Sequence, residues 1–296
     1  MGDINFWKIL RVLTTNTCNY QCSFCHNEGQ EKPSDKRINL KFNDYKIIID
    51  SLENTPLKEV HFSGGEPFMN PETLKMILYT NDTTVFELGC ATNTTFLTEE
   101  TIIQLANTRI KLNIQFPAIR HSEFANITKS GDLFKVLEKI ELLKKHNVAF
   151  GLNHVLQSDS SKSIDDIIDF VTKNGLSIKL LPDLSNTNSV YFKNSIFPFL
   201  DSIAIKKIDK GTGALKWWIR DSNNAEVAIM YIDSPCFYND INTCKRFSEV
   251  RLLPSLNLQT CIKKNELIEF DFEIIEKNKS LVVDKFQESW NSFTRC

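Results

Sequence analysis

Residues 7–25, WKILRVLTTNTCNYQCSFC, join an apolar segment directly to three closely spaced cysteines. Residues 7–15 are rich in apolar and β-branched side chains, which predicts a strand buried on both faces. Cys18, Cys22 and Cys25 follow within one short loop. This stretch therefore predicts a strand that ends at a chemical site.

The chain after this loop alternates between strand-like and helix-like segments. Further strands are predicted at 59–62, 85–91, 110–116, 148–156 and 176–181, and helices at 44–52, 71–79, 99–106, 132–146 and 163–173. Ser163 is expected to cap the last of these helices, and Gly175 to follow its end. Strands that alternate with helices pair in parallel through right-handed crossovers. The pattern predicts an α/β barrel or partial barrel, with reactive groups at the carboxyl ends of its strands.

The C-terminal third has a different pattern. From about residue 186, short predicted elements follow at 196–208 (helix) and at 216–220, 227–232, 250–253 and 256–262 (strands). Two regions are therefore predicted, residues 1–185 as the β/α core and residues 186–296 as a small α+β extension. Trp217, Trp218 and Tyr231 are candidates for lining a substrate pocket. Because adjacent residues on a strand point to opposite faces, we expect at least one of the two tryptophans to pack in the core instead.

The composition limits the classes of function. The chain has 296 residues, 35 basic and 37 acidic side chains, a net charge of −2 and a mean hydropathy of −0.24. This balance argues against a nucleic-acid partner and against a membrane protein. The N-terminus has no signal-like pattern, so a cytoplasmic location is expected. The chain has 8 cysteines. Because the cytoplasm is reducing, cysteines that lie close together in the sequence are expected to bind metal there.

The first cysteine group has the spacing Cys-x3-Cys-x2-Cys. Three thiolates on one loop suit three irons of a cuboidal iron–sulfur cluster, and the fourth iron then has no local ligand. A zinc site usually has four ligands from two separate turns, and His26 is the nearest residue that could complete a Cys3His set. The spacing favours a cluster with one exchangeable iron. Zinc binding and three incidental core thiols stay open as alternatives.

A second motif, Gly64-Gly65-Glu66-Pro67, stands at the end of the second predicted strand. With the cysteine loop it resembles the signature of the radical S-adenosylmethionine (SAM) enzymes, over residues 7–183. The resemblance implies a partial (β/α)6 barrel and a [4Fe–4S] cluster on Cys18, Cys22 and Cys25 that binds SAM. The residues that it implies for SAM binding are Phe24, Gly64, Gly65, Glu66, Pro67, Thr92 and Asn93.

The same resemblance implies the chemistry. An electron from the cluster cleaves SAM to a 5′-deoxyadenosyl radical, which abstracts a hydrogen atom from the substrate. A reducing partner such as flavodoxin or ferredoxin is expected to supply that electron. The protein positions the substrate hydrogen and excludes water.

Within this superfamily the chain looks most like the GTP 3′,8-cyclase family of molybdenum cofactor biosynthesis. Residues 127–133 and 251–261 are similar to segments of that family. The resemblance implies an auxiliary [4Fe–4S] cluster in the extension and substrate contacts from two arginines. The candidate ligands and contacts are Cys236, Cys244 and Cys261 for this second cluster, and Arg11 and Arg251 for the substrate.

The sequence also departs from that family. His61 and Gly151 stand where the family has an arginine and a lysine, and seven residues instead of two separate Cys236 from Cys244. A triphosphate needs several converging cations, so a substrate other than GTP is expected. Arg11 could equally pair with a carboxylate inside the barrel.

The sequence therefore predicts a radical SAM enzyme that acts on a small molecule or peptide in cofactor or natural-product biosynthesis. A peptide, a sugar and a nucleoside are the substrate classes expected. GTP 3′,8-cyclase itself and a non-catalytic zinc or iron–sulfur binding module are the alternatives.

Overall fold

The computed structural model describes residues 6–25, 37–157, 161–221, 223–264, 266–270 and 278–295. His26, the possible fourth zinc ligand, and the last residue, Cys296, a candidate fourth ligand for the second cysteine group, lie outside the described residues. Their role as metal ligands therefore stays a prediction.

Strands and helices alternate through the first part of the chain. The strands are β1 (Ile9–Leu13), β2 (Glu59–Ser63), β3 (Glu87–Thr92), β4 (Ile110–Gln115), β5 (Ala149–Leu156) and β6 (Ile178–Pro182). The helices are α1 (Phe42–Leu52), α2 (Thr73–Thr83), α3 (Glu99–Ala106), α4 (His121–Thr128), α5 (Leu133–Lys145) and α6 (Ser161–Lys173). All the predicted core strands and helices are present. The prediction of Ser163 as a helix cap was wrong, because α6 already begins at Ser161.

Helix α5 shows why these segments fold as predicted. Asp132 caps its start by accepting a hydrogen bond of 3.0 Å from the N–H of Phe134. The apolar side chains at helical spacing are buried, and lysines in the last turn complement the helix dipole. Helix α4 was not predicted; it packs against Tyr20 and the cysteine loop.

The C-terminal residues extend the same sheet. They form α7 (Lys193–Ile203), β7 (Lys206–Asp209), β8 (Ala214–Arg220), β9 (Glu226–Ile232), α8 (Ile241–Phe247), β10 (Glu249–Leu252), β11 (Asn257–Gln259), β12 (Leu267–Glu269) and α9 (Ser280–Ser292). The strand order in the described sheet is β12-β11-β10-β1-β2-β3-β4-β5-β6-β9-β8-β7. Strand β10 is parallel to β1, and β9 is parallel to β6. The extension therefore adds strands at both edges of the core, and the boundary between residues 185 and 186 stays a prediction.

The two faces of the sheet differ in polarity. In β4, Ile110, Leu112 and Ile114 are buried, whereas the alternate residues Lys111, Asn113 and Gln115 are partly or fully exposed. The buried face packs against the helices in one hydrophobic core. We call the other face, which carries the polar side chains, the inner face.

The inner face is concave. The charges of Arg11 on β1 and Glu59 on β2 both act on Lys179 of β6, although in a flat sheet β1 and β6 would lie about 24 Å apart. The sheet must therefore curve to bring these strands together. This agrees with the predicted partial barrel.

The last helix closes the fold against the first strand. The indole Nε1 of Trp7 donates to Ser289 Oγ at 2.7 Å and to the Phe286 carbonyl at 3.1 Å. Its ring meets Trp290 edge-on, with 5.0 Å between ring centroids. Helix α9 is thereby fixed beside β1. No helix in the described ranges is both long and apolar enough to cross a membrane.

Candidate active site

The first cysteine group lies in the loop after β1. The amide Nδ2 of Asn93 donates to Sγ of Cys18 at 3.8 Å, and the backbone N–H of Tyr20 donates to the same sulfur at 3.4 Å. Burial raises the pKa of Cys18 to about 11 and that of Cys22 to about 12, and neighbouring charges, including the thiolate of Cys25, add to both shifts. A metal that binds these sulfurs must displace their protons.

The loop is held by the end of α4. The backbone N–H groups of Gln21 and Ser23 donate to the carbonyls of Thr128 and Ile127 at 3.0 and 3.1 Å. Tyr20 packs edge-on against Phe124 of α4, at 6.3 Å between ring centroids. In the described part of the chain, no three His, Cys, Asp or Glu side chains are arranged at metal-ligand spacing. The three thiols therefore share an anchored loop without being preassembled.

Gly64 and Gly65 pack against the backbone that leads into this loop. Gly65 N–H donates to Thr15 O at 2.9 Å, and Glu66 N–H donates to Thr17 O at 2.8 Å. Gly64 has a φ of +130°, and a Cβ at Gly65 would lie 2.0 Å from Thr17 O. Only glycine allows this approach. The motif thus ties the end of β2 to the entry of the cysteine loop.

Glu66 extends this tie to the end of β3. Its carboxylate accepts hydrogen bonds of 2.7 Å from the hydroxyl of Thr92 and 2.7 Å from the N–H of Asn93, and one of 3.3 Å from the N–H of Phe68. Burial raises the pKa of Glu66 to about 7, against the effect of these bonds. Glu66, Thr92 and Asn93, all expected SAM contacts, therefore form one buried hydrogen-bonded group.

The other two expected SAM contacts are packed into the protein. Phe24 is buried in the hydrophobic core. Pro67 begins a short 3-10 helix (Pro67–Met69), and its carbonyl accepts a hydrogen bond of 2.6 Å from Thr73 Oγ1. In this geometry both residues shape the loops beside the cysteines.

A cavity of ≈ 280 Å³ lies between the cysteine loop and α5. Asn19, Tyr20, Asn93, Thr94 and Thr95 line one side and residues of α5 line the other, and none of the three cysteines lines it. The hydroxyl of Thr94 is buried and has no hydrogen-bond partner in the protein. A buried polar atom normally has a partner. The unpaired hydroxyl, the glycine-lined approach and the clustered thiols together fit a metal cluster with a polar ligand beside it.

Arg11 and Arg251, the expected substrate contacts, share one buried carboxylate. Arg11 binds Glu249 at two points, with Nε at 3.0 Å and a terminal nitrogen at 2.7 Å. Arg251 lies beside Arg11 in the sheet and reaches Glu249 at 3.1 Å. The carboxylate pairing that the sequence left open for Arg11 is therefore present. Glu249 itself was not predicted.

The second cysteine group lies near the amino end of β10. A hydrogen bond between Cys236 and Cys244 lowers the pKa of Cys236, and the charges of Arg251 and Lys263 add to this effect. Cys261 is buried two residues beyond Gln259, which pairs with Arg251. The structure thus joins Cys236 to Cys244 and brings Cys261 to the same end of β10. Since β10 runs parallel to β1, this end is opposite the first cysteine loop.

The inner face between these two ends carries polar residues that were not predicted as site residues. They are Lys111, Asn113, Gln115, Asn153, Lys179 and Lys216. A signal was present in residues 110–115, IKLNIQ, where polar and apolar side chains alternate. The prediction that at least one of the adjacent tryptophans is buried is confirmed: Trp217 is in the core, and Trp218 is partly exposed. Tyr231, the third pocket candidate, is fully buried.

Comparisons with known proteins agree with this geometry. Residues 12–171 match the radical SAM superfamily. The chain is 24% identical over 267 residues to the GTP 3′,8-cyclase of Clostridium perfringens, covering 86% of this chain and 80% of that protein. It is 24% identical over 297 residues to the probable GTP 3′,8-cyclase of Thermococcus kodakarensis, covering 93% and 94%.

Solved structures have the same fold. Streptococcus suis SuiB, bound to its precursor peptide SuiA, matches with a TM-score of 0.73 at 11% identity, over 98% of this chain and 67% of SuiB. The protein anSMEcpe with bound AdoMet matches with a TM-score of 0.60 at 15% identity, over 92% and 81%.

Fold and site define an α/β enzyme with a thiol-rich centre at the carboxyl ends of parallel strands. The chain belongs to the radical SAM superfamily, because the matched residues 12–171 make up more than half of it. It is therefore an enzyme that uses a [4Fe–4S] cluster and SAM. The predicted fold class, enzyme class and SAM-dependent chemistry are confirmed.

Proposed function

We propose that Cys18, Cys22 and Cys25 hold the SAM-binding [4Fe–4S] cluster of this enzyme. The observation that carries this proposal is that Gly65 and Asn93 both contact the cysteine loop or the residues leading into it. Gly65 N–H donates to Thr15 O at 2.9 Å, and the Asn93 amide donates to the Cys18 sulfur at 3.8 Å. When bound, the cluster supplies the electron that cleaves SAM to the 5′-deoxyadenosyl radical.

The chain's own residues prepare this site. The Asn93 amide donates to the Cys18 sulfur, which favours the thiolate that iron requires. The Glu66 carboxylate holds Thr92 and Asn93 in place, and the glycines allow the loop to pack closely. Phe24, Gly64, Gly65, Glu66, Pro67, Thr92 and Asn93 are the residues that we propose to bind or support SAM.

A second cluster belongs to the same proposal. Cys236, Cys244 and Cys261 are its proposed ligands, supported by the thiol contact between Cys236 and Cys244. The two cysteine groups lie near opposite ends of the paired strands β1 and β10. We propose that the substrate binds between them, on the inner face.

The proposed substrate is a small molecule or peptide of a cofactor or natural-product pathway, and it is not GTP. His61 is paired with Glu59 at 3.0 Å, Gly151 has no side chain, and Arg11 is held by Glu249. These are the positions at which the cyclase family would offer cations. We also propose that a flavodoxin- or ferredoxin-like partner reduces the enzyme in the cytoplasm.

The test is anaerobic reconstitution with iron and sulfide, followed by reduction and incubation with SAM. We expect 5′-deoxyadenosine to form, as measured by liquid chromatography. A cluster-loaded sample that forms none would overturn the proposal.

GTP 3′,8-cyclase activity is the second candidate, because relatives of that name match the chain over 80% and 94% of their length. Incubation of the reduced enzyme with GTP and SAM, with mass analysis of the nucleotide, decides between the two. A rearranged GTP product would establish cyclase activity and contradict our assignment of the substrate.

A further inference from the structure

Four lysines gather at one end of the inner face. Lys179 of β6 pairs in register with Met230, and Met230 pairs with Lys216, so both lysines project from the same side of the sheet. Lys111 on β4 and Lys210 in the turn before β8 are close enough to influence both of them electrostatically. The ammonium group of Lys179 donates to Asn113 Oδ1 at 2.6 Å.

The nearby carboxylates are already engaged. Glu59 is bound to His61 at 3.0 Å, and Glu249 is bound to both Arg11 and Arg251. Within the described ranges, none of the four lysines forms a salt bridge; Lys216 instead lies 4.3 Å from the ring centroid of Trp218. Lys179 and Lys216 are partly buried, whereas Lys111 and Lys210 are exposed. Partly buried cations without counter-ions are costly to hold. Such an arrangement favours the binding of an anion.

The electrostatic field at this place is positive. Burial, together with the charges of Lys111, Arg11 and Lys210, lowers the pKa of Lys179 to about 8, while the charge of Glu59 opposes this shift. The pKa of Lys216 is also lowered, by burial and then by Lys210 and Lys111. Lys179 and Lys216 are thus in a field that repels protons and attracts anions.

Unpaired polar atoms continue this surface toward the SAM end. Gln115 of β4 and Asn153 of β5 are register partners on the inner face. Gln115 Nε2, a donor, and Asn153 Oδ1, an acceptor, are both buried without a hydrogen-bond partner. Since buried polar atoms of this kind are normally paired, they point to a polar ligand.

The intervening strand leaves room for such a ligand. Gly151 pairs with Asn113, and the nearest atoms to a Cβ placed on it would be Ser177 O at 3.5 Å and Lys111 Cε at 3.9 Å. No side chain at position 151 therefore fills the space beside Lys111. The lysines and the unpaired amides line one continuous surface.

We propose that the substrate of this enzyme carries an oxyanion, a carboxylate or a phosphate, that binds to Lys179, Lys111 and Lys216 on the inner face. The inference rests on the proposed function, since it names the chemical class of the substrate for that site. The unpaired amides of Gln115 and Asn153 then meet polar groups of the substrate nearer the radical. Lys111 and Lys179 lie on β4 and β6, the two strands beside Gly151, and Lys216 lies on β8. The cations of this site therefore come from other strands and not from position 151.

The test uses cluster-loaded protein at constant ionic strength, titrated separately with inorganic phosphate and with glutarate. Binding is followed by calorimetry and by tryptophan fluorescence, because Trp218 contacts Lys216. We expect at least one probe to bind saturably. Lys179→Met should weaken that binding at least tenfold, and Lys179→Arg, which keeps the charge, should retain most of it. Saturable binding of phosphate alone or glutarate alone identifies the oxyanion.

Lys144→Met is the matched control, because Lys144 lies on α5 and is paired with Glu141 at 2.9 Å. This variant should bind the probe as the wild type does. Lys216→Met provides a second reporter if Lys179→Met folds poorly, and melting temperatures of all variants show whether they fold. The inference is overturned if neither probe binds saturably, or if both methionine variants bind as tightly as the wild type.

Formation of 5′-deoxyadenosine by the wild-type preparation is measured in parallel. Loss of SAM cleavage with anion binding intact would contradict the proposed function alone. SAM cleavage without anion binding would contradict the oxyanion inference alone.

Discussion

The buried carboxylate of Glu66 accepts a hydrogen bond of 2.7 Å from the hydroxyl of Thr92. This bond joins the ends of β2 and β3 directly beside the cysteine loop. The same carboxylate holds the backbone of Asn93, whose side chain donates to the Cys18 sulfur. One acidic residue of the Gly-Gly-Glu-Pro motif therefore aligns two strand ends and a candidate cluster ligand.

Glu66→Gln should change how stability depends on pH. Burial raises the pKa of Glu66 to about 7 from 4.5, so its contribution to stability is full below pH 4.5 and is lost as pH rises through 7. Between pH 5 and 8 the metal-free wild type should lose up to about 3 kcal/mol from this residue. Urea unfolding at both pH values should show a smaller loss in the variant. Glu141→Gln, exposed on α5, controls for the removal of one carboxylate. An equal loss of stability between pH 5 and 8 in the wild type and in Glu66→Gln would contradict the prediction.

Gly65→Ala should destabilise the protein by about 1–3 kcal/mol or more, because the new Cβ would lie 2.0 Å from Thr17 O. The backbone entering the cysteine loop must then move. Urea denaturation measures the loss, and iron content after reconstitution should fall with it. Gly151→Ala is the control, since its Cβ would be 3.5 Å from the nearest atom. Equal stability of the two variants would show that the close approach at Gly65 is unimportant.

Cys22→Ala should abolish SAM cleavage, because two thiolates of the loop cannot hold the cluster as three do. Iron bound per chain should fall by about 4 atoms. Cys90→Ala is the matched control: Cys90 is a fully buried thiol inside β3 and belongs to neither cysteine group. It should keep its iron and its activity. Undiminished formation of 5′-deoxyadenosine by Cys22→Ala would rule out this ligand assignment.

Cys261→Ala should separate the two proposed clusters. The wild type should bind about 8 iron atoms per chain and the variant about 4. Uncoupled SAM cleavage should persist at least in part, because the first cysteine loop is untouched, while substrate turnover is lost. A wild type with only about 4 iron atoms, or unchanged turnover in the variant, would contradict the auxiliary cluster.

Much of the fold could be predicted because its signals are local. The buried strand β1 and the helix α5 follow from apolar residues at strand and helix spacing. The first cysteine group was visible for the same reason, since its members are neighbours in the chain. Helix α4 was not, because its position depends on Tyr20 and the cysteine loop that pack against it.

The sequence by itself determined the order of strands and helices, the cysteine loop and the Gly-Gly-Glu-Pro motif, because each depends on residues that are close along the chain. Only the tertiary structure decided that Arg11 binds Glu249, 238 residues away. It also decided that lysines from β4, β6 and β8 share one surface. Curvature and strand register set these contacts, and both arise from packing across the whole sheet, which no local pattern records.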